Sequence, residues 1–138
     1  MRAFDRWRAL SRHQKWRTVE SAALVALAAA AVSIVGLQRL LAIASPGVRG
    51  RTLDAAAIRE RVTAIARAGR YVPGGTCLAQ SLALAWMLRR NGVAAAIRIG
   101  IRTADGFDAH AWVESDGVAL TEGPHRLDGY AVVAESSQ

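Results

Sequence analysis

Hydrophobic and polar positions follow several different periods along this 138-residue chain, and the changes of period mark out its elements. Residues 1–20 set six basic side chains (Arg2, Arg6, Arg8, Arg12, Lys15 and Arg17) among Phe4, Trp7 and Trp16. The pattern changes sharply at residue 21. The run "SAALVALAAAAVSIVGLQ", residues 21–38, carries no charge. It fits a helix packed on the domain or on a partner protein, or one in contact with a membrane. As a span it is borderline, because Ala contributes little to insertion and Arg39 interrupts before "LLAIA" resumes. A secretory signal fits poorly, since no convincing small-residue cleavage site follows ahead of a mature domain. Pro46, Gly47 and Gly50 in "SPGVRG" form the strongest break. They predict a basic and apolar helical segment at 1–48 followed by a single domain at 49–138.

Within that domain, Thr52 or Asp54 can cap a helix whose apolar positions Ile58, Val62 and Ile65 share one face. Gly69 ends it, and Arg59, Arg61 and Arg67 are expected to face outward. Pro73, Gly74 and Gly75 then turn the chain. Thr76 caps a second helix with Leu78, Leu82, Ala85 and Leu88 on one face and Gly92 as its terminator. Beyond residue 92 the period drops to two. Ile97, Ile99 and Ile101 alternate with Arg98, Gly100 and Arg102, and in "DAHAWVES" His110, Trp112 and Glu114 alternate with Ala109, Ala111 and Val113. Helices followed by antiparallel strands make the fold class α+β. The loop after the second strand sets its pairing. If "SDG", 115–117, is a three-residue loop, Glu114 faces Val118 and Glu122 lies directly across from His110. If Asp116-Gly117 is a two-residue turn, Glu122 pairs with Ala111 and points to the opposite face.

Composition narrows the class. A content of 52% hydrophobic and 21% charged residues suits a packed core. One cysteine cannot form an internal disulfide, which points to a reducing, cytoplasmic setting, and one Cys with three His cannot build a Cys/His zinc cage. No metal or cofactor is expected. The net charge of +7 suits an anionic partner. Nucleic acid is not expected, because neither a groove-reading motif nor an aromatic stacking platform accompanies the charge. An acidic peptide or a membrane surface touched through residues 1–44 fits as well.

The candidate chemistry lies at Cys77. In the first turn of a helix, unpaired backbone N–H groups and the positive dipole end stabilise a thiolate. His110 follows on a strand, and an acid across the hairpin would complete the Cys-His-acid logic of nucleophilic acyl chemistry. Glu122 is that acid in the first register, with Asp116 and Asp108 as competitors. Trp112, on the His110 face, can wall the site and contact substrate. His13 and His125 are expected to be solvated surface residues.

"PGGTCLAQSLALAWMLRRNGV" and "FDAHAWVESDG", with 33 residues from Cys77 to His110, resemble the transglutaminase-like leader peptidases of lasso-peptide biosynthesis in their stand-alone form. The resemblance covers roughly residues 50–133. It implies a papain-like or transglutaminase-like core, with the catalytic Cys at a helix N-terminus packed on a small antiparallel sheet and a helical segment in front. It further implies a cysteine peptidase that removes the leader of a ribosomal precursor, working with a separate leader-recognition protein and upstream of an asparagine-synthetase-like cyclase. Cys77 carries over as nucleophile, His110 as general base and Glu122, in place of the family's usual Asp, as acid. The alternatives are an acyltransferase on the same fold and a non-catalytic peptide-binding protein.

Overall fold

The computed structural model describes residues 3–36, 39–40, 53–121 and 126–136. Among them are four helices, α1 (Ala3–Arg8), α2 (Arg12–Val35), α3 (Ala55–Gly69) and α4 (Cys77–Arg90), followed by strands β1 (Ala96–Arg102), β2 (Asp108–Ser115), β3 (Val118–Ala119) and β4 (Ala131–Glu135). The strands form one antiparallel sheet in the order β3-β2-β1-β4. The expected α+β class is therefore observed. The Pro/Gly break at 45–50 lies outside the described residues.

Helix α2 begins well before the uncharged run. Ser11 closes a reciprocal capping box: its hydroxyl accepts from Gln14 N–H at 3.2 Å, while the Gln14 side chain accepts from Ser11 N–H at 2.9 Å. The helix then packs on α3 and α4 through Thr18, Ser21, Val25 and Ala28, which are buried at the three-and-four spacing of one helix face. Thr18 is held from both sides, donating to Gln14 O and accepting from Arg67 Nη1. Glu20 links α2 to the last turn of α4 through Arg90 at 3.1 Å. The length and composition of α2 would suffice to cross a membrane, yet one face is committed to the domain.

In α3 the cap is Asp54, whose carboxylate accepts from Ala57 N–H at 2.7 Å. Ile65 is buried, and Ile58 and Val62 pack beside it as expected. Arg61 departs from the expectation that it faces outward. It is only 6% exposed, donates to Ala57 O, and has its pKa pushed below the usual arginine value by burial, with the neighbouring Arg17 adding to the shift. The cause is α2, which covers a flank of α3 that the apolar spacing of α3 alone would leave open.

Helix α4 is the centre of the fold. Its N-cap is Thr76, and it ends in a Schellman motif: Gly92 at φ 75° donates to Arg89 O at 2.9 Å and Val93 to Leu88 O at 3.1 Å. Every residue from Ser81 to Ala85 is buried, as are Met87 and Leu88. A helix buried on all sides needs cover from several directions. Val25 and Ala28 of α2, Ile65 of α3, Ile97 of β1 and Val113 of β2 supply it in one continuous core. Each large apolar side chain so buried stabilises the fold by about 1.5–3 kcal/mol.

The sheet is closed at β1 by β4, with a bulge between Ile99 and Gly100. Past the end of β4, Ser136 continues the pairing with its side chain. It is 2% exposed, its hydroxyl accepts from Ile97 N–H at 2.8 Å, and its own N–H donates to Ile97 O at 2.9 Å. Ser136→Ala leaves a buried backbone N–H without its acceptor. It should lower unfolding stability by about 1–3 kcal/mol, read as a lower urea midpoint at unchanged m-value.

Candidate active site

Cys77 is the first helical residue of α4, and the turn before it is built around glycines. Gly75 N–H donates to Val72 O at 3.0 Å, with Pro73 and Gly74 between them and Gly74 at φ 75°, the signature of a type II turn. Gly75 could not carry a side chain: a Cβ there would stand 2.7 Å from the carbonyl oxygen of Gly69. Thr76 Oγ1 accepts from Ala79 N–H at 3.3 Å, so the helix starts as the sequence predicts. Helix geometry leaves the N–H groups of Cys77 and Leu78 without intrahelical acceptors.

Gln80 completes this corner. Side chains in a helix lean toward its N-terminus, and that of Gln80 reaches back to donate from Nε2 to Gly75 O at 2.8 Å. Its amide fits only because residue 69 is glycine, since a Cβ on Gly69 would approach Gln80 Nε2 to 2.4 Å. By sequence spacing Gln80 lies too far into the helix to serve the site as a hydrogen-bond donor; its side chain instead reaches back to the turn and lines the cavity. The signal of this pairing, two glycines flanking the turn and an amide one helical turn past the thiol, is visible only once α3 and α4 are set side by side.

Cys77, Gln80, Ser81, His110 and Thr121 line a single cavity of about 310 Å³, walled on the α3 side by Val62, Ile65 and Ala66. Cys77 and His110, the residues expected to cooperate, thus border one cavity. Cys77 and His110 are both partly exposed there.

His110 sits on β2 opposite Gly100 of β1. Its ring stacks on Trp112 at 6.3 Å between centroids and lies 6.0 Å from the Tyr130 ring. Trp112 was expected to face substrate, but it is 3% exposed, stands outside the cavity lining, and donates from Nε1 to Glu114 at 3.0 Å. It braces the imidazole from the side. Glu114 in turn accepts from Arg98 Nε at 2.9 Å.

The hairpin corrects one expectation. Ser115 pairs with Val118 and Glu114 with Ala119, so Asp116-Gly117 is a two-residue turn with positive φ at both positions, 50° and 77°. This is the type I′ geometry, favoured because its twist matches that of the strands. The three-residue register, which alone set Glu122 across from His110, does not form. Glu122 itself lies outside the described residues, as does His125. Thr121, the residue before Glu122, reaches the cavity.

The competing acids are placed differently. Asp116 is spent on the turn, exposed at its tip. Asp108 lies two residues before His110 on the same strand, where its carboxylate accepts from the Tyr130 hydroxyl and from Arg102 Nη2 at 3.3 Å. Tyr130, unforeseen from sequence, touches both the acid and the imidazole, with the Arg102 guanidinium over its ring at 4.7 Å. His13 is a surface residue paired with Glu60. Among the described residues no group of three or more His, Cys, Asp or Glu could hold a metal ion.

The family model of the transglutaminase-like superfamily matches residues 22–135. Over 59 residues, 43% of this chain, the sequence is 37% identical to the microcin J25-processing protein McjB of Escherichia coli, and the match spans 28% of that protein's length. No solved structure matches the chain.

Gly100→Ala tests the packing that supports the imidazole. The new Cβ would stand 2.9 Å from the Trp112 ring and 3.1 Å from Tyr130 Cβ. Overpacking a buried ring should cost about 1–3 kcal/mol, measured as a lower midpoint of thermal unfolding.

Proposed function

Since the chain belongs to the transglutaminase-like superfamily, we propose that it is a cysteine peptidase that removes the leader from a ribosomally made lasso-peptide precursor. The observation that carries this reading is the shared cavity of Cys77, at a helix start, and His110, on a strand braced by aromatic rings. The partial likeness to a microcin-processing protein supports the substrate class. The partners are a leader-recognition protein and, downstream, an asparagine-synthetase-like cyclase that takes the core with its new N-terminus.

In the proposed reaction His110 accepts the thiol proton and the Cys77 thiolate attacks the amide carbon at the leader–core junction. The tetrahedral oxyanion is held by the backbone N–H of Cys77, at the positive end of α4. Gln80 is the proposed second donor. It lines the cavity, and its amide keeps one N–H beyond the bond to Gly75. Collapse of the intermediate breaks the C–N bond, and the proton on His110 passes to the departing amine of the core. A thioester to the leader remains. Water, deprotonated by His110, then attacks it and releases the leader as a carboxylic acid.

Glu122 is the acid that the family resemblance implies; it lies five residues past the "HAWVESDG" stretch and directly after Thr121, which borders the cavity. One observation favours a second assignment: Asp108 shares the strand face of His110 and is joined to it through Tyr130.

Cleavage of a lasso-type precursor peptide, with a leader-recognition protein added, tests both levels. Cys77→Ala should lower the rate by at least about a thousandfold. Cleavage that survives it would overturn the peptidase reading. Glu122→Gln and Asp108→Asn, compared in the same assay, identify the acid as the position whose loss costs about 10²–10⁴-fold. Formation of a leader amide when a primary amine is supplied, in preference to the free acid, would favour the acyltransferase alternative.

A further inference from the structure

Helix α2 is apolar on two opposite faces, and the fold uses only one. The inner face, Thr18, Ser21, Val25 and Ala28, is packed on α3 and α4. On the other side Trp16, Val19, Ala23, Leu27, Ala30 and Ile34 recur at spacings of three and four, which aligns them in one stripe. The stripe is open to solvent: Trp16 is 66% exposed, Leu27 60% and Ile34 81%. At 1.5 Å per residue it runs for about 27 Å. No charged residue lies between Glu20 and Arg39, so nothing interrupts its outer two-thirds.

Charge surrounds the stripe at its ends. Arg12 lies on the same face one turn before Trp16, with Lys15 at its flank, and Arg39 is exposed beyond the other end. Helix α1 adds Arg6 and Arg8 next to the exposed Phe4, over whose ring the Arg8 guanidinium stands at 5.5 Å. Phe4, Trp7, Val19 and Tyr71 also border an almost wholly apolar groove of about 330 Å³ between α1, α2 and the end of α3. Val19 is common to stripe and groove, so the apolar surface is continuous from one to the other.

We infer that this face of α2, with α1, docks flat on an anionic lipid surface. Apolar side chains entering the acyl boundary, with cations level with anionic headgroups and Trp16 at the junction, are the features that hold an interfacial helix. The helix lies along the membrane and does not cross it. Crossing would strip Val25 and Ala28 from the core and would carry Arg17 and Glu20 away from Glu60 and Arg90. A second copy is a poor occupant. Parallel pairing of two stripes sets Arg12 and Lys15 against themselves, and antiparallel pairing sets them toward Arg39, so like charges meet either way.

Co-sedimentation of the full chain with vesicles of phosphatidylglycerol and phosphatidylcholine, against phosphatidylcholine alone, tests the inference without reading activity. The wild type should pellet with the anionic vesicles and be released by high salt. The double substitution Leu27→Gln and Ile34→Gln alters only exposed positions, so its thermal unfolding should match wild type while its vesicle partition falls at least about tenfold. Equal pelleting of wild type and variant, pelleting on neutral vesicles alone, or a wild type that stays in the supernatant would overturn the inference. So would a lipid-free dimer that the double substitution dissociates, which would assign the stripe to a second copy. A salt-resistant complex with the leader-recognition protein that the same substitution abolishes, in the absence of vesicle binding, would assign it to that protein.

Discussion

The enclosure of α4 is the constraint on which the remaining architecture depends. A helix with buried residues on all sides cannot be covered by a four-stranded sheet alone, and so α2 and α3 must close it from the other side. Once they do, its ends and Trp86 alone reach the surface. Its N-terminus carries the thiol, and a helix start is also where backbone N–H groups lack internal acceptors. The requirement for burial therefore fixes where the reactive end emerges: at the seam between the end of α3, the Pro-Gly-Gly turn and the edge of β2. The polar corner formed by Gly69, Gly75 and Gln80 makes that seam tight enough to hold one geometry.

A second constraint acts through the sheet. Gly100 lies across from His110 and gives Trp112 and Tyr130 room to close around the imidazole. The strand alternation that sends Ala111 and Val113 into the core leaves His110 on the other face, among rings and carboxylates. The imidazole is in contact with the Trp112 and Tyr130 rings, and Asp108, two residues before it on the same strand, is tied down by Tyr130 and Arg102. Structure and reactivity are coupled here, because the groups that fix the ring also belong to the sheet's packing.

Local signals were legible and tertiary ones were not. The cap at Thr76, the Schellman end at Gly92 and the two alternating strands follow from residues close in sequence, and each forms as the pattern predicts. The start of α2 is equally local, since Ser11 and Gln14 carry the capping-box spacing, although the hydropathy of the chain changes only at residue 21. Arg61 was misplaced because its burial comes from α2, a helix far away in sequence. The hairpin was ambiguous at heart: "SDG" contains both a three-residue and a two-residue turn, and one residue of slip moves every side chain to the other face. Gln80 reads from spacing alone as too far into the helix, and Tyr130 is not signalled at all, because each gains its meaning from a partner that sequence spacing does not reveal.

The solitary thiol has a practical side. Because Cys77 is the only sulfhydryl in the chain and borders the cavity, an alkylating reagent can mark this site without any competing cysteine being engineered away. The protein comes with a built-in reporter. The rate at which that sulfur is capped becomes a footprint of whatever fills the space around it, so peptides can be ranked by the shielding they confer, even when none is turned over.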